Sequence, residues 1–278
     1  MTDLRPGLYV VATPIGNLGD LSPRALDVLA GAAVVAAEDT RTSAKLLKRA
    51  GGRGRLISLT EHNVAARTPE LLSVAREGVV ALVSDAGTPV VADPGARLVA
   101  AAHAEAVPVI VVPGPSALTA ALSVAGFDAG DAHFLGFLPR PKGERLTRLR
   151  RAASGADVLV FFESPARLPE TLDELAACFG DPDVVVCREL TKLHEEVARG
   201  PASALAARFR PARGECTVVM KCPPAPPGRQ DEVAAYMAEM QRAGARRSAA
   251  AAEAARRFGV ARAAAYGLWD AREEAGSH

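Results

Sequence analysis

Short β-branched runs alternate with alanine- and leucine-rich stretches along most of this chain, and that alternation restricts its fold more than any other feature. Runs at 8–12, 34–37, 56–59, 79–84 and 107–112 read as strands, and a second series follows at 133–137, 157–163, 183–188 and 215–221. Helical patterns fill the intervals at 23–31, 42–50, 69–77, 95–106 and 116–124. Continuous apolar strands separated by helices indicate α/β architecture with sheets covered on both faces. The series breaks after Pro113-Gly114-Pro115, which predicts an N-terminal α/β lobe over 1–115 and a C-terminal α/β lobe over 116–222. Prolines cannot sit in a helix interior or a central strand, so the proline-rich stretch 223–230 reads as a linker. Beyond it, 231–278 is alanine- and arginine-rich and helical in pattern. Helices at 249–257 and 261–274 about a turn at Phe258-Gly259-Val260 give it helix-turn-helix-like spacing. Trp269, the single tryptophan, is expected to fill the core of that module.

Composition limits the partners. The 278 residues are 49% hydrophobic, enough for real cores, and the net charge is +1. No global pull toward nucleic acid follows, so any basic patch is local. Two stretches qualify: 140–151 carries six basic residues and one glutamate, and 242–262 carries the same balance. Arg140, Lys142, Arg145, Arg148, Arg246, Arg247, Arg256 and Arg257 are the candidate phosphate contacts in them, and solvated helix faces are the alternative. The four cysteines lack CxxC spacing, so neither a metal site nor a disulfide framework is expected. The N-terminus has no leader pattern and the run 107–112 is too short to span a bilayer, which predicts a soluble cytoplasmic protein.

Glycine and proline punctuation falls directly after the strands. Thr13-Pro14-Ile15-Gly16-Asn17, Glu38-Asp39-Thr40-Arg41, Ser84-Asp85-Ala86-Gly87-Thr88-Pro89, Pro113-Gly114-Pro115-Ser116 and Glu163-Ser164-Pro165 all occupy such positions. In open α/β sheets ligands bind beyond the carboxyl ends of the strands. The first loop is not GxGxxG, and no GK[ST] lysine or magnesium-binding acidic pair accompanies it. Main-chain N–H groups and small side chains dominate, which suits a neutral or zwitterionic adenosine-type ligand.

TPIGNLGDLSPRALDVL, AAEDTRTSAKLL, LVSDAGTPVVADPG, VPGPSALTAALSVAGF, GFLPR, VFFESPARL and RELTKLHEE follow one another colinearly. Together they resemble the bacterial 16S rRNA cytidine 2′-O-methyltransferases, the ribosomal small-subunit methyltransferase I family. That family belongs to the tetrapyrrole-methylase-like S-adenosylmethionine (SAM) methyltransferases. The resemblance implies that SAM lies in a cleft between two lobes, bordered by Pro14, Ile15, Gly16, Ser84, Asp85, Ala86, Gly87, Ser116 and Ala117. It implies that Phe162 and Glu163, with Leu190, Thr191 and Lys192, come from the second lobe. It further implies a substrate in the decoding centre of 16S rRNA, presented free or in the assembled small subunit, and a homodimer.

Methyl transfer from a sulfonium is an in-line displacement that depends on positioning and needs no metal. A ribose 2′-hydroxyl is a poor nucleophile, so a base or an orienting group is expected nearby. Glu38, Asp39, Asp85, Glu163, Glu189 and Lys192 stand at suitable loops, and Asp39, Glu163 and Lys192 are taken as the catalytic candidates. Arg41 is either a substrate contact or the ion-pair partner of Asp39. His62, after a strand, is a substrate contact or a loop histidine. Two other functions stay open: methylation of a tetrapyrrole or other small molecule on the same fold, and non-catalytic RNA or DNA binding.

Overall fold

In the computed structural model, which describes residues 4–223 and 227–269, the first five strands build one parallel sheet. They are β1 (Gly7–Val11), β2 (Val34–Ala37), β3 (Arg55–Ser58), β4 (Val79–Val83) and β5 (Val109–Val112), in the order β3-β2-β4-β1-β5. Tyr9, Val11, Val35, Ala37, Ala81 and Val83 pack with α1 (Pro23–Gly31) and α2 (Thr40–Arg49). The alternate residues Leu8, Val34, Ala36, Val80 and Leu82 pack with α3 (Val64–Glu77) and α4 (Ala96–Ala104). Both faces being covered, β2 and β4 are buried throughout and read as unbroken apolar runs. Helix α1 starts where Ser22 Oγ accepts from Ala25 N at 3.1 Å, with Pro23 in the first turn.

Helix α3 corrects an expectation. It begins at Val64, five residues before Pro69, the residue that the sequence reading placed at its start. Asn63 builds the preceding turn by accepting from Thr60 N at 2.8 Å and donating to Ser58 O at 3.1 Å. That turn, not the proline, sets the start of the helix.

Helix α5 (Ala117–Ala125) crosses the point, at residue 120, where the chain divides into two units. The second unit contains β6 (Ala132–Phe137), α6 (Lys142–Ala153), β7 (Val158–Glu163), α7 (Leu168–Phe179) and β8 (Asp183–Arg188). It continues with β9 (Glu196–Pro201), α8 (Ala202–Arg208) and β10 (Cys216–Lys221). The sheet order is β6-β7-β10-β8-β9, and β6–β7 is its one parallel pair. Strand β9 is missing from the series read in the sequence. It is an edge strand carrying Glu196, Arg199 and a terminal Pro201, with Ala198 its buried residue. Polar edges are tolerated in antiparallel sheets and hide the strand from an apolarity count.

The division differs from the expected lobe boundary in two ways. It falls at Ala120 and not at 115, and the segment Glu189–Glu195 belongs to the first unit although β8 and β9 flank it. The C-terminal helices fall in the second unit and have a hydrophobic core of their own. They are α9 (Pro227–Arg242), α10 (Arg247–Phe258) and α11 (Arg262–Gly267), so residues 227–230, expected in the linker, are helical. Val233, Met237, Ala250, Ala251, Ala254 and Ala265 form their core, with Trp269 packed against it. Gly259, at φ +64°, caps α10 by donating to Ala255 O at 3.0 Å. A Cβ on Gly155 would lie 2.9 Å from that of Ala261, so a glycine lets the module approach the α/β part of its unit. The expected second helix over 261–274 is described as α11 up to Gly267, and residues 270–274 lie outside the described residues. No helix among the described residues is long and apolar enough to cross a membrane.

Candidate functional site

Hydrogen bonds tie four strand-end loops of the first unit together. Thr13 and Gly87 form an isolated antiparallel bridge, N to O at 2.8 Å and 3.0 Å, which joins the β1 and β4 loops. Thr13 Oγ1 also donates to Ser84 O at 3.2 Å, and Ser84 Oγ to Gly87 O at 3.2 Å. Thr88 Oγ1 donates to Pro115 O at 3.1 Å, which joins the β4 and β5 loops. Asp39 N donates to Asp85 Oδ1 at 3.0 Å, which joins the β2 and β4 loops. The sheet order makes this possible, because β2, β4, β1 and β5 are successive neighbours and end at the same edge. Gly87 has φ +81°, a backbone that favours glycine, and a Cβ there would sit 3.3 Å from Ile15 Cγ2.

The segment Glu189–Glu195 closes on the first of these loops. Asn17 N donates to Thr191 Oγ1 at 2.9 Å, and a Cβ on Gly16 would lie 2.5 Å from Lys192 Cγ and 2.8 Å from Thr191 Oγ1. Glu189 and Thr191 hold positive φ angles of 52° and 66°, unusual for residues with side chains. Thr191 N donates to Glu195 Oε2 at 2.5 Å, and Lys192 Nζ lies 2.9 Å from Glu189 Oε1. Leu190, Thr191 and Lys192 therefore belong with Pro14, Ile15, Gly16, Ser84, Asp85, Ala86, Gly87, Ser116 and Ala117 in the first unit, not in the second lobe where they were expected. Phe162 and Glu163 are part of the second unit.

The three catalytic candidates differ sharply. Asp39 caps α2 by accepting from Arg41 N at 2.8 Å, and its carboxylate pairs with the Arg41 guanidinium at 2.8 Å. That partner holds the Asp39 carboxyl down at about 2, so it is a weak base. Arg41 correspondingly braces the loop, although its side chain is 89% exposed. Glu163 is sealed, with its side chain 1% exposed. One oxygen accepts from Ser164 N at 2.8 Å, and the other from Arg167 at 3.0 Å and Thr171 Oγ1 at 2.9 Å. These donors hold the Glu163 carboxylate in place at the end of β7. Lys192 keeps a partly exposed ammonium beside the loops.

A pocket of about 360 Å³ opens among Glu61, His62, Asp93, Gly95 and Arg97, also in the first unit. Burial pushes the Asp93 carboxyl above its ordinary value and Asp85 adds to this, while the Ser84 hydroxyl opposes both. Glu38 is raised as well, by burial and then by the charges of Asp85, Asp93 and Glu61. A second cavity, of about 1020 Å³, lies in the second unit between its α/β part and the helical module, lined by Gly155, Asp157, Cys222, Val233, Ala261 and Leu268. Burial, then Asp157 and Asp131, push the Cys222 thiol up to about 12, which leaves it unreactive.

One expected RNA contact is internal, and others are tied to groups of the chain itself. Arg145 is buried, with two bonds to the Glu174 carboxylate at 2.7 Å and others to Pro139 O and Arg140 O. Arg148 donates to Leu135 O at 2.7 Å. Arg247 stacks on Tyr266 with its guanidinium 3.9 Å from the ring centroid, and Arg257 lies 5.3 Å from that of Tyr236. Arg256 pairs with Glu253. Arg140, Lys142, Arg148, Arg246, Arg256 and Arg257 are exposed. The sequence reading missed Arg167 and Glu174. The four-residue spacing of Glu163 and Arg167 was the available signal for the first, whereas the pairing of Arg145 with Glu174 comes from tertiary packing.

Residues 7–206 match the family model of the tetrapyrrole (corrin/porphyrin) methylases. Among solved structures, uroporphyrin-III-C-methyltransferase from Thermus thermophilus superposes with a TM-score of 0.56 at 24% identity, over 78% of this chain and 94% of that one. Cobalt precorrin-4 methyltransferase gives a TM-score of 0.57 at 19% identity, over 77% and 94%. These two show a shared fold. Ribosomal RNA small subunit methyltransferase I of Mesorhizobium japonicum is 47% identical over 220 residues, 77% of this chain and 75% of that protein. Its counterpart in Thermotoga maritima is 45% identical over 217 residues, 77% of this chain and 97% of that protein. By both measures the chain belongs to the tetrapyrrole (corrin/porphyrin) methylases, in the branch formed by ribosomal RNA small subunit methyltransferase I.

Proposed function

We propose that this chain is a SAM-dependent methyltransferase of small-subunit ribosomal RNA, acting on the ribose 2′-hydroxyl of a cytidine in the decoding centre of 16S rRNA. The observation that carries the reading is the hydrogen-bonded set of four strand-end loops in a chain 47% identical to a ribosomal RNA small subunit methyltransferase I. We assign Pro14, Ile15, Gly16, Ser84, Asp85, Ala86, Gly87, Ser116, Ala117, Leu190 and Thr191 to the cofactor. The main-chain donors and small side chains around Gly16 and Gly87 fit an adenosine-type ligand bearing little net charge. Bound SAM supplies a methyl group activated by its sulfonium charge.

What remains for the chain is to align the ribose hydroxyl and accept its proton. Lys192 is the group we assign to alignment, as an ammonium that donates to the hydroxyl oxygen. Glu189, 2.9 Å from Lys192 Nζ, is the carboxylate we assign to the proton. Asp39 is too weak a base and Glu163 is committed to Arg167 and Thr171. Arg140, Lys142 and Arg246 are the exposed cations we assign to phosphates. The proposal includes a homodimer in the cytoplasm, and sedimentation equilibrium checks the dimer.

The test uses labelled SAM with 30S subunits and naked 16S rRNA from cells lacking the endogenous enzyme. One cytidine newly protected from alkaline cleavage in the decoding region is the expected result, and it identifies the substrate form. Label without protection means base methylation. SAM binding with no label in either RNA moves the acceptor to a small molecule.

A further inference from the structure

Strand β6 ends in an irregularity that turns one aromatic ring outward. Phe134 pairs with Val160 and Phe137 with Phe162, so three steps on β6 oppose two on β7. Gly136, at φ +59°, sits inside the bulge in a backbone that favours glycine. The extra residue puts Phe134 and Phe137 on the same face, where regular alternation would separate them. Both rings meet Phe162 edge-on, at centroid distances of 5.1 Å and 5.4 Å and angles of 69° and 62°. Phe137 remains 62% exposed. Two half-buried rings therefore support this one without covering it.

The backbone beneath the ring is fixed by three arginines. Arg148 donates to Leu135 O at 2.7 Å and Phe137 O at 3.4 Å. Arg167 donates to Leu138 O and Pro139 O, each at 3.1 Å. Arg145 donates to Pro139 O at 3.2 Å and Arg140 O at 2.7 Å. Arg167 and Arg145 are themselves held by the buried carboxylates of Glu163 and Glu174. Two exposed cations, Arg140 and Lys142, follow Phe137 by three and five residues.

We propose that Phe137 is a stacking platform for an unpaired RNA base, with Arg140 and Lys142 on the flanking phosphates. The inference rests on the reading of the chain as an rRNA methyltransferase and names how it holds its substrate. An exposed ring on a rigid backbone loses little freedom on binding, which is what a stacking partner requires. Phenylalanine has no hydrogen-bonding group, so it holds a base without reading its identity. The positive rim favours a polyanion over a second apolar protein surface.

The experiment compares Phe137→Ala, Phe137→Leu and Phe137→Trp with the unaltered protein. Alanine and leucine are each expected to raise KM for rRNA or the 30S subunit by about ten- to a hundredfold, with SAM affinity and sedimentation unchanged. Tryptophan keeps a π-face and is expected to restore KM. Its fluorescence is expected to be quenched by a single-stranded RNA oligonucleotide, beyond any change in the unaltered protein, whose tryptophan is Trp269. Leucine behaving like phenylalanine overturns the proposal, as does an unchanged KM in the alanine variant. A change in oligomeric state with alanine also overturns it, by making Phe137 a contact between copies. If the unaltered protein fails to methylate rRNA, the substrate reading fails, and the oligonucleotide titration still decides the platform.

Discussion

Gly16 and Lys192 approach so closely that a Cβ on the glycine would lie 2.5 Å from Lys192 Cγ. The first strand-end loop and the segment bearing the proposed aligning lysine thus meet at a position where a side chain does not fit. Gly16→Ala is expected to push the two apart, lowering kcat/KM by about tenfold and stability by about 1–3 kcal/mol. Titration with SAM and thermal denaturation check both. Unchanged values would mean that the segment yields freely.

Glu163→Gln separates bracing from catalysis. The amide leaves Arg167 beside a neutral group in a buried site, and the expected cost is about 2–4 kcal/mol in urea unfolding. Activity per folded molecule should fall modestly and its pH profile should not move. A well-folded variant whose pH–rate limb disappears would restore Glu163 as the base.

Asp93 provides a pH test. Its raised carboxyl binds a proton more tightly folded than unfolded. The stability this contributes is full below the ordinary carboxylate value and is lost as pH rises through the folded value. Asp93→Asn, which removes the charge and keeps the shape, should therefore raise the melting temperature at pH 7 and leave it little changed at pH 3. An equal shift at both values would remove the electrostatic explanation.

The basic stretch 140–151 should split into two classes. Arg145→Met leaves the buried Glu174 carboxylate only Lys142 Nζ, 4.0 Å away, as a cation and is expected to cost about 3–5 kcal/mol. Arg140→Ala and Lys142→Ala lie at exposed positions and should change stability by less than about 0.5 kcal/mol. Each should reduce the salt dependence of RNA binding by about one phosphate contact. Filter binding at several salt concentrations distinguishes them, and equal destabilisation by all three would contradict the assignment.

The sequence alone determined the parts governed by local chemistry. Apolar runs with buried neighbours on both sides, such as β2 and β8, announce themselves because every position needs the same kind of residue. Helix α1 is legible from Ser22 and Pro23, a cap and a first-turn proline acting within a few residues. Glycine-bearing loops after β1, β4 and β5 stand out in the same way, because a tight turn restricts the residues it accepts.

Tertiary structure decided what depends on partners distant in sequence. Strand β9 exists because β8 supplies its hydrogen bonds, not because its residues are apolar. Glu189–Glu195 sits in the first unit through Thr191 and Asn17, residues 174 positions apart. Arg145 and Arg140 belong to the same basic stretch, yet one is buried on Glu174 and the other faces solvent. Charge in a sequence gives the number of cations. Packing, by supplying or withholding a buried carboxylate, decides which of them stay available to a ligand.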